Sequence, residues 1–181
     1  DERYWINTSY IDYFKTYGFV TLINPLEPEP EEVDLLILPG GADVSPGRYG
    51  YPHLPHIGFP NRPYEMFDFQ TLPKYIKKRI PIFGICRGHQ SLNVYFGGTL
   101  HSHVDEPTSR YEGEAVHFVG NADKTDVMPT SSNHHQAVDR LGDGLVPLLY
   151  GYEMKVAKED GKQVYKIGKR LHLEAMRHTN M

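Results

Sequence analysis

Two short apolar runs dominate the pattern of the first half of the chain. Residues 33–38 and 80–85 are apolar at nearly every position, which is typical of strands buried on both faces of a parallel sheet. Apolar residues at helical spacing predict three helices, over residues 7–17, 64–79 and 88–96. The second of these helices is expected to bend at Pro73. Strands that alternate with helices in this way predict an α/β fold with an open sheet.

The second half of the chain shows a different pattern, with several strand candidates and few helical periods. Residues 154–157 and 164–167 flank the turn-forming run Glu159-Asp160-Gly161-Lys162, which predicts a β-hairpin. Residues 171–176 form a last strand candidate, and residues 19–23 a short one near the start. Residues 43–63 are rich in glycine, proline and histidine, and a loop of that length in a compact domain is usually functional.

Length and composition predict a single-domain protein without disulfides, a nucleic-acid-binding surface or a membrane helix. A chain of 181 residues predicts a single domain over residues 1–181. It has one cysteine, so no internal disulfide can form, and we expect a reducing, cytoplasmic location. The net charge of -4 gives no sign of a nucleic-acid-binding surface. No apolar stretch approaches the ~18 residues that a membrane helix needs, so no membrane association is expected.

The candidate chemistry begins at that one cysteine, Cys86. The second apolar run ends in Gly84-Ile85-Cys86-Arg87-Gly88, and a predicted helix follows. A sharp turn of this kind presents a nucleophile at a helix N-terminus, where the helix dipole favours the thiolate over the thiol. The backbone N–H of Arg87 is then a natural donor to an oxyanion. The alternative interpretation is a small buried cysteine packed beside a helix.

Two further segments carry candidate chemistry. The first apolar run ends in Pro39-Gly40-Gly41, and in open α/β sheets sites form at that edge. Paired glycines there expose backbone N–H groups, as an oxyanion hole requires. A polar cluster covers residues 130–138. Its histidines could bind zinc together with His101, His103 or Asp105, but no tetrahedral ligand set at standard spacing is evident. We therefore expect no metal and no cofactor.

Together these segments resemble a known family. The sequence contains, in order, Pro39-Gly40-Gly41-Ala42-Asp43, Gly84-Ile85-Cys86-Arg87-Gly88-His89-Gln90, Gly97-Gly98-Thr99-Leu100-His101 and Asn133-His134-His135-Gln136-Ala137-Val138. This arrangement resembles the class I glutamine amidotransferases, and more narrowly the peptidase C26 group with its γ-glutamyl hydrolases. The resemblance implies a flavodoxin-like three-layer sandwich with a mostly parallel central sheet. It also implies a cysteine hydrolase that cleaves γ-glutamyl amide bonds through a thioester.

The resemblance also assigns roles to particular residues. Cys86 is expected to be the nucleophile, and the backbone N–H groups of Gly41 and Arg87 are expected to bind the oxyanion. The glutamyl end of a small-molecule substrate is expected to contact a second set, namely Gly40, Gln90, Asn133, His135 and Gln136. Amide side chains and backbone groups can recognise both the ammonium and the carboxylate of a γ-glutamyl group, which is consistent with these roles.

The resemblance leaves the catalytic base open. Relatives activate the cysteine with a histidine from a late His-x-Glu motif, which lies beyond a segment like residues 171–181. We therefore expect the catalytic His-x-Glu segment, and also the first strand of the fold, to be missing from residues 1–181. His172 and His178 are interpreted as structural histidines.

Alternative functions stay open as well. The chain could be a glutaminase subunit that delivers ammonia to a partner synthase, or a catalytically inactive binding protein of the same fold. A cysteine-dependent α/β-hydrolase is a weaker alternative. A homodimer is a further arrangement that the sequence leaves open.

Overall fold

A computed structural model describes residues 6–26, 32–52, 62–104, 110–111, 114–132, 134–160 and 162–180. Contacts divide the chain into two compact units. The first unit comprises Asp1–Ser45 and Gly58–Leu92, and the second comprises Pro46–Ile57 and Asn93–Met181.

The first unit contains a parallel strand pair and several helices. Its strands are β1 (Leu36–Leu38) and β2 (Ile82–Gly84), which pair in parallel with Leu36 opposite Ile82 and Leu38 opposite Gly84. Its helices are α1 (Thr8–Phe14), α2 (Arg62–Met66), α3 (Leu72–Lys77) and the start of α4 (Arg87–Tyr95). The two apolar runs thus form adjacent parallel strands, as the sequence predicts. The expected burial on both faces is wrong for β2, because Phe83 is 52% exposed.

The predicted helix over residues 64–79 is interrupted rather than continuous. A π-helical segment, Phe67–Thr71, separates α2 from α3, and Pro73 is the second residue of α3. Proline has no N–H to donate to the carbonyl four residues earlier, so the wider π turn lies where an α-helical ladder would be broken. The short strand expected at residues 19–23 is wrong, since these residues are irregular.

The core of the first unit lies between the strand pair and these helices. Its buried members come from β1, the π segment and α3, and they are Leu36, Leu38, Phe67, Leu72 and Tyr75. Ile82 of β2 and Leu92 of α4 pack against the same cluster. The strand pair and the helix that follows β2 are therefore held by one apolar core, which fixes the point where β2 passes into α4.

The second unit is built around a seven-stranded sheet with the order β3-β7-β9-β8-β5-β4, in which β6 also pairs with β5. The strands are β3 (Leu100–His101), β4 (Arg110–Tyr111), β5 (Glu114–Gly120), β6 (Val127–Ser131), β7 (Ala137–Val138), β8 (Leu145–Glu159) and β9 (Lys162–His178). A 3-10 helix, Pro46–Tyr49, also belongs to this unit.

The pairings of this larger sheet correct the expectation of a mostly parallel central sheet. Every strand pair assigned in it is antiparallel, and only β1 and β2 pair in parallel within the described residues. The long β8 and β9 are joined by a tight turn with Glu159 opposite Lys162, as predicted. A connection that short allows only antiparallel pairing.

The described part of the chain contains no helix that is long and apolar enough to cross a membrane.

Candidate active site

The connection between β2 and α4 places Cys86 in a strained backbone conformation. Its φ angle is 51°, a left-handed value that residues with a side chain rarely adopt. Hydrogen bonds fix the turn, since Ile85 N–H donates to the Leu38 carbonyl and Gly88 N–H donates to the Ile85 carbonyl, both at 2.9 Å. Cys86 itself is exposed. Strain of this kind is typical of a nucleophile elbow, and the interpretation of Cys86 as a buried packing residue is wrong.

Two glycines make this turn sterically feasible. A Cβ atom on Gly84 would lie 2.6 Å from the carbonyl carbon of Gly88. A Cβ atom on Gly88 would overlap the backbone carbonyl of Leu38 in β1. Only glycine fits at either position, because α4 begins directly against both strands. The glycines that flank the cysteine in the sequence are thus explained by close packing of helix on strand.

The Gly-Gly loop after β1 lies beside the cysteine. A Cβ atom built on Gly40 would be 3.9 Å from Cys86 Sγ, and one on Gly41 would be 3.4 Å from Arg87 Cδ. The N–H of Gly40 donates to the hydroxyl of Tyr10 in α1 at 3.1 Å. Gly40, Gly41, Cys86 and Arg87 are therefore neighbours, as expected for residues at the carboxyl ends of adjacent parallel strands.

The side chain of Arg87 is an internal anchor, a role that the sequence did not reveal. Its Nη1 lies 2.5 Å from Oδ2 of Asp68 in the π segment, and both side chains are almost fully buried. Ser91, one turn along α4, donates to the same carboxylate oxygen at 2.8 Å. Burial raises the pKa of Asp68, although the Arg87 charge and the Ser91 hydrogen bond oppose that shift. No local signal in the sequence marks Asp68, which lies between Phe67 and Phe69, as the partner of Arg87.

The predicted substrate-binding residues divide between the two units. Gln90 is buried on α4, and its N–H donates to the Cys86 carbonyl at 3.0 Å. Gln136 is buried in the second unit and donates from Nε2 to the hydroxyl of Tyr49 at 3.4 Å. His135 also belongs to the second unit, with its ring 5.8 Å from that of His103. Asn133 lies outside the described residues.

A His-x-Glu sequence does occur in the second unit, at His172-Leu173-Glu174 on β9, and the sequence interpretation overlooked it. Alternate residues of a strand point to the same face, and His172 Nε2 lies 2.8 Å from Glu174 Oε1. His117 and His134 approach the same oxygen. Burial raises the pKa of Glu174, but hydrogen bonds from His134 and His172 and the charges of the histidines outweigh burial and lower it to about 2.

Nearly the whole chain matches one known protein family. Residues 2–179 match the peptidase C26 family profile. The chain belongs to the peptidase C26 family. This membership confirms the resemblance seen in the sequence, and it supports an enzyme with an amidohydrolase or amidotransferase-like function.

Individual relatives agree with the C26 assignment. The chain is 29% identical over 191 residues to YvdE of Lactococcus lactis, which is described as glutamine amidotransferase-like, covering 94% of this chain and 81% of YvdE. It is 26% identical over 134 residues to a γ-glutamyl-CDP-amidate hydrolase of Campylobacter jejuni, covering 74% of this chain and 56% of that protein.

A solved structure resembles the fold. The crystal structure of a glutamine amidotransferase from Thermotoga maritima matches with a TM-score of 0.51 and 21% identity, covering 77% of this chain and 59% of that one. At this identity the likeness concerns the fold alone. It supports a glutamine amidotransferase-like α/β fold.

Proposed function

We propose that this C26 family member hydrolyses a γ-glutamyl amide bond, in a γ-glutamyl compound or in glutamine, with Cys86 as the nucleophile. The observation that carries the proposal is the left-handed Cys86 between β2 and α4, with the Gly40-Gly41 loop beside its sulfur. Relatives named as a γ-glutamyl-CDP-amidate hydrolase and as a glutamine amidotransferase-like protein support the choice of substrate class. A thiol nucleophile must stay reduced, so we place the reaction in the cytoplasm.

The proposed reaction has two covalent steps. The Cys86 thiolate attacks the γ-carbonyl carbon, and the amide C–N bond breaks as the amine leaves with a proton. Water then attacks the resulting thioester, which releases glutamate and restores the thiol. In each step the carbonyl oxygen becomes an oxyanion, and the backbone N–H groups of Gly41 and Arg87 are the proposed donors to it.

The remaining predicted residues are proposed to bind the glutamyl group. Gln90, His135 and Gln136 offer amide, imidazole and backbone groups that can accept from its ammonium or donate to its carboxylate. Gly40 and Asn133 complete the set that the family resemblance assigns. A histidine base is proposed to take the thiol proton and to pass it to the departing amine.

Covalent labelling tests the nucleophile directly. A diazo-ketone analogue of glutamine should add once to the intact protein, as measured by mass spectrometry, and Cys86→Ala should abolish the adduct. Iodoacetamide should alkylate Cys86 with a pH midpoint below the usual ~8.5 of a cysteine thiol. Labelling that persists in Cys86→Ala, or alkylation no faster than that of free cysteine, would refute the proposal. The second result would favour the inactive binding protein.

An amidotransferase subunit is the second candidate, because the Lactococcus relative carries a glutamine amidotransferase-like name. Such a subunit would release ammonia from glutamine only slowly until a synthase partner binds. Assays of the isolated protein with glutamine and with a series of γ-glutamyl amines separate the two functions. Turnover of an amine conjugate well above that of glutamine supports the stand-alone hydrolase, whereas turnover that requires a separate synthase chain supports the subunit.

A further inference from the structure

Three imidazole rings surround one carboxylate oxygen in the second unit. The Nε2 atoms of His172, His117 and His134 lie 2.8, 3.3 and 3.6 Å from Glu174 Oε1. One ligand atom from each of the four residues lies within 4.8 Å of every other. The ring centroids of the three histidines are 5.1 to 6.1 Å apart, so all three rings point their Nε2 edges toward a common point.

The four side chains come from separate parts of the sheet. His117 is on β5, His134 lies between β6 and β7, and His172 and Glu174 are on β9. The histidine side chains are 2%, 19% and 8% exposed, and that of Glu174 is 18% exposed. Gly151 of β8 leaves room for the carboxylate, since a Cβ atom there would lie 3.0 Å from Glu174 Oε1. The cluster is thus enclosed but within reach of solvent.

A hydrogen bond on the far side of one ring fixes its tautomer. Nδ1 of His134 lies 3.0 Å from the carbonyl oxygen of Gln136, and a carbonyl can only accept, so Nδ1 carries a proton. In the neutral ring Nε2 then presents its lone pair toward the Glu174 carboxylate. Two electron-rich atoms facing each other require a cation, either a second proton on the ring or a metal ion. An Nδ1–H bonded to a backbone carbonyl is also the usual support for a metal-binding histidine.

We propose that these four side chains bind one zinc ion, with His117, His134, His172 and Glu174 as its ligands. Imidazole and carboxylate suit zinc, and bonds of about 2.0–2.1 Å in a tetrahedron place ligand atoms about 3.4 Å apart. The three distances to Oε1 already bracket that value. All four ligand atoms lie within 4.8 Å of one another, so the side chains must draw together to admit the ion. The sequence expectation of no metal site is revised here, because the ligands do not lie at the short spacings of known zinc motifs.

Four protein ligands close the coordination sphere, which is typical of structural rather than catalytic zinc. The ion would link three elements that are far apart in sequence, namely β5, β9 and the segment that precedes β7. The proposal is therefore independent of the chemistry at Cys86. The zinc site is tested by metal content and thermal stability, whereas the proposed hydrolase is tested by labelling of Cys86. A negative result for one proposal therefore does not contradict the other.

Metal titration of the full chain tests this site. Protein purified without a histidine tag and stripped with a chelator should bind one zinc ion per chain by calorimetry and elemental analysis. Zinc should raise the Tm in a concentration-dependent way and release protons on binding. Cobalt should give the intense visible absorption of tetrahedral coordination without a thiolate charge-transfer band, and Cys86→Ala should leave the stoichiometry at one.

Variants assign the ligands. Glu174→Gln and His172→Asn should each weaken zinc binding by at least about 100-fold, since even an outer-shell partner is worth 10- to 100-fold. His101→Asn is the matched control, because its Nε2 also faces a carboxylate, that of Asp139, at 3.4 Å but at an exposed surface, and it should bind zinc like the wild type. Folded, stripped wild type that binds no zinc would overturn the proposal without relying on any variant. So would equal binding by wild type and Glu174→Gln, or a cobalt spectrum with a thiolate band.

Discussion

At the scale of single residues, the buried Arg87–Asp68 pair positions the backbone that is proposed to stabilise the oxyanion. Asp68→Asn removes the charge opposite a guanidinium that is almost fully buried. Breaking a buried ion pair from one side typically costs 3–5 kcal/mol, so we expect the free energy of unfolding to fall by roughly 3 kcal/mol. Urea denaturation measures this change, and alkylation of Cys86 should slow in the folded variant.

An exposed ion pair supplies the control for Asp68. Glu159 and Lys166 pair at the tip of the β8–β9 hairpin with more than half of each side chain exposed. Exposed pairs contribute little, so Glu159→Gln should change the unfolding free energy by less than about 0.5 kcal/mol. Equal effects of the two substitutions would show that burial of the Arg87–Asp68 pair does not determine its contribution.

The glycine at the start of α4 gives a second prediction at this scale. Gly88→Ala would force a methyl group against the Leu38 carbonyl, and overpacking of this kind usually costs 1–3 kcal/mol. Because the clash moves α4 away from β1, we also expect slower labelling of Cys86. Gly47→Ala is the matched control, since nothing lies within 4 Å of its added Cβ. A Gly88→Ala protein as stable and reactive as wild type would contradict the steric reason given for this glycine.

The sequence predicts single residues well where the backbone demands a particular residue type. Gly84, Cys86 and Gly88 could be placed because a strand that turns sharply into a helix needs glycine on both sides of the exposed residue. Asp68 and His117 could not, because their partners are distant in the chain, whereas the His172–Glu174 pair was visible as a His-x-Glu sequence and was overlooked. Nothing local distinguishes an acid that pairs with an internal arginine from one that faces solvent.

At the scale of elements, a buried tyrosine of β8 secures the connection between β5 and β6. Tyr152 is fully buried, and its hydroxyl donates to the Asn121 carbonyl at 2.6 Å. Tyr152→Phe should lower the unfolding free energy by about 1 kcal/mol, the usual net worth of one hydrogen bond, and should speed amide exchange at residues 121–126. Tyr150→Phe on the same strand is the control, because the ring that stacks on Arg170 remains. A larger loss in the control would contradict this role for Tyr152.

The elements themselves were predictable only in part. Helical periodicity and the Asp160-Gly161 turn located α1, α4 and the β8–β9 hairpin correctly. The predicted strands of that hairpin covered only fractions of β8 and β9, which are 15 and 17 residues long. Register shifts between Pro147 and Met154 break the alternation of apolar and polar positions on which a strand prediction depends.

At the scale of the whole molecule, the parallel sheet predicted from the first half of the chain does not extend to the strands of the second half. The two apolar runs form a parallel pair, but the strands of the larger sheet pair antiparallel. Several of those strands are only two residues long, and so short a segment leaves no periodicity to read. Family membership over residues 2–179 identifies the fold where the hydrophobic pattern does not.

The net charge of the chain depends on how many of its histidines are protonated. The formal net charge is -4 with all ten histidines neutral, so protonation of four of them brings the chain to zero, consistent with a pI of about 6.2. Electrostatic repulsion between molecules vanishes there, so we expect solubility, measured by light scattering across a pH series, to be lowest near that pH. Lys158→Glu removes one positive and adds one negative charge at an exposed position and should move the minimum to lower pH, because more histidines must then be protonated. A minimum that stays in place would instead indicate association through exposed apolar side chains such as Phe19 and Leu22, which titration does not change.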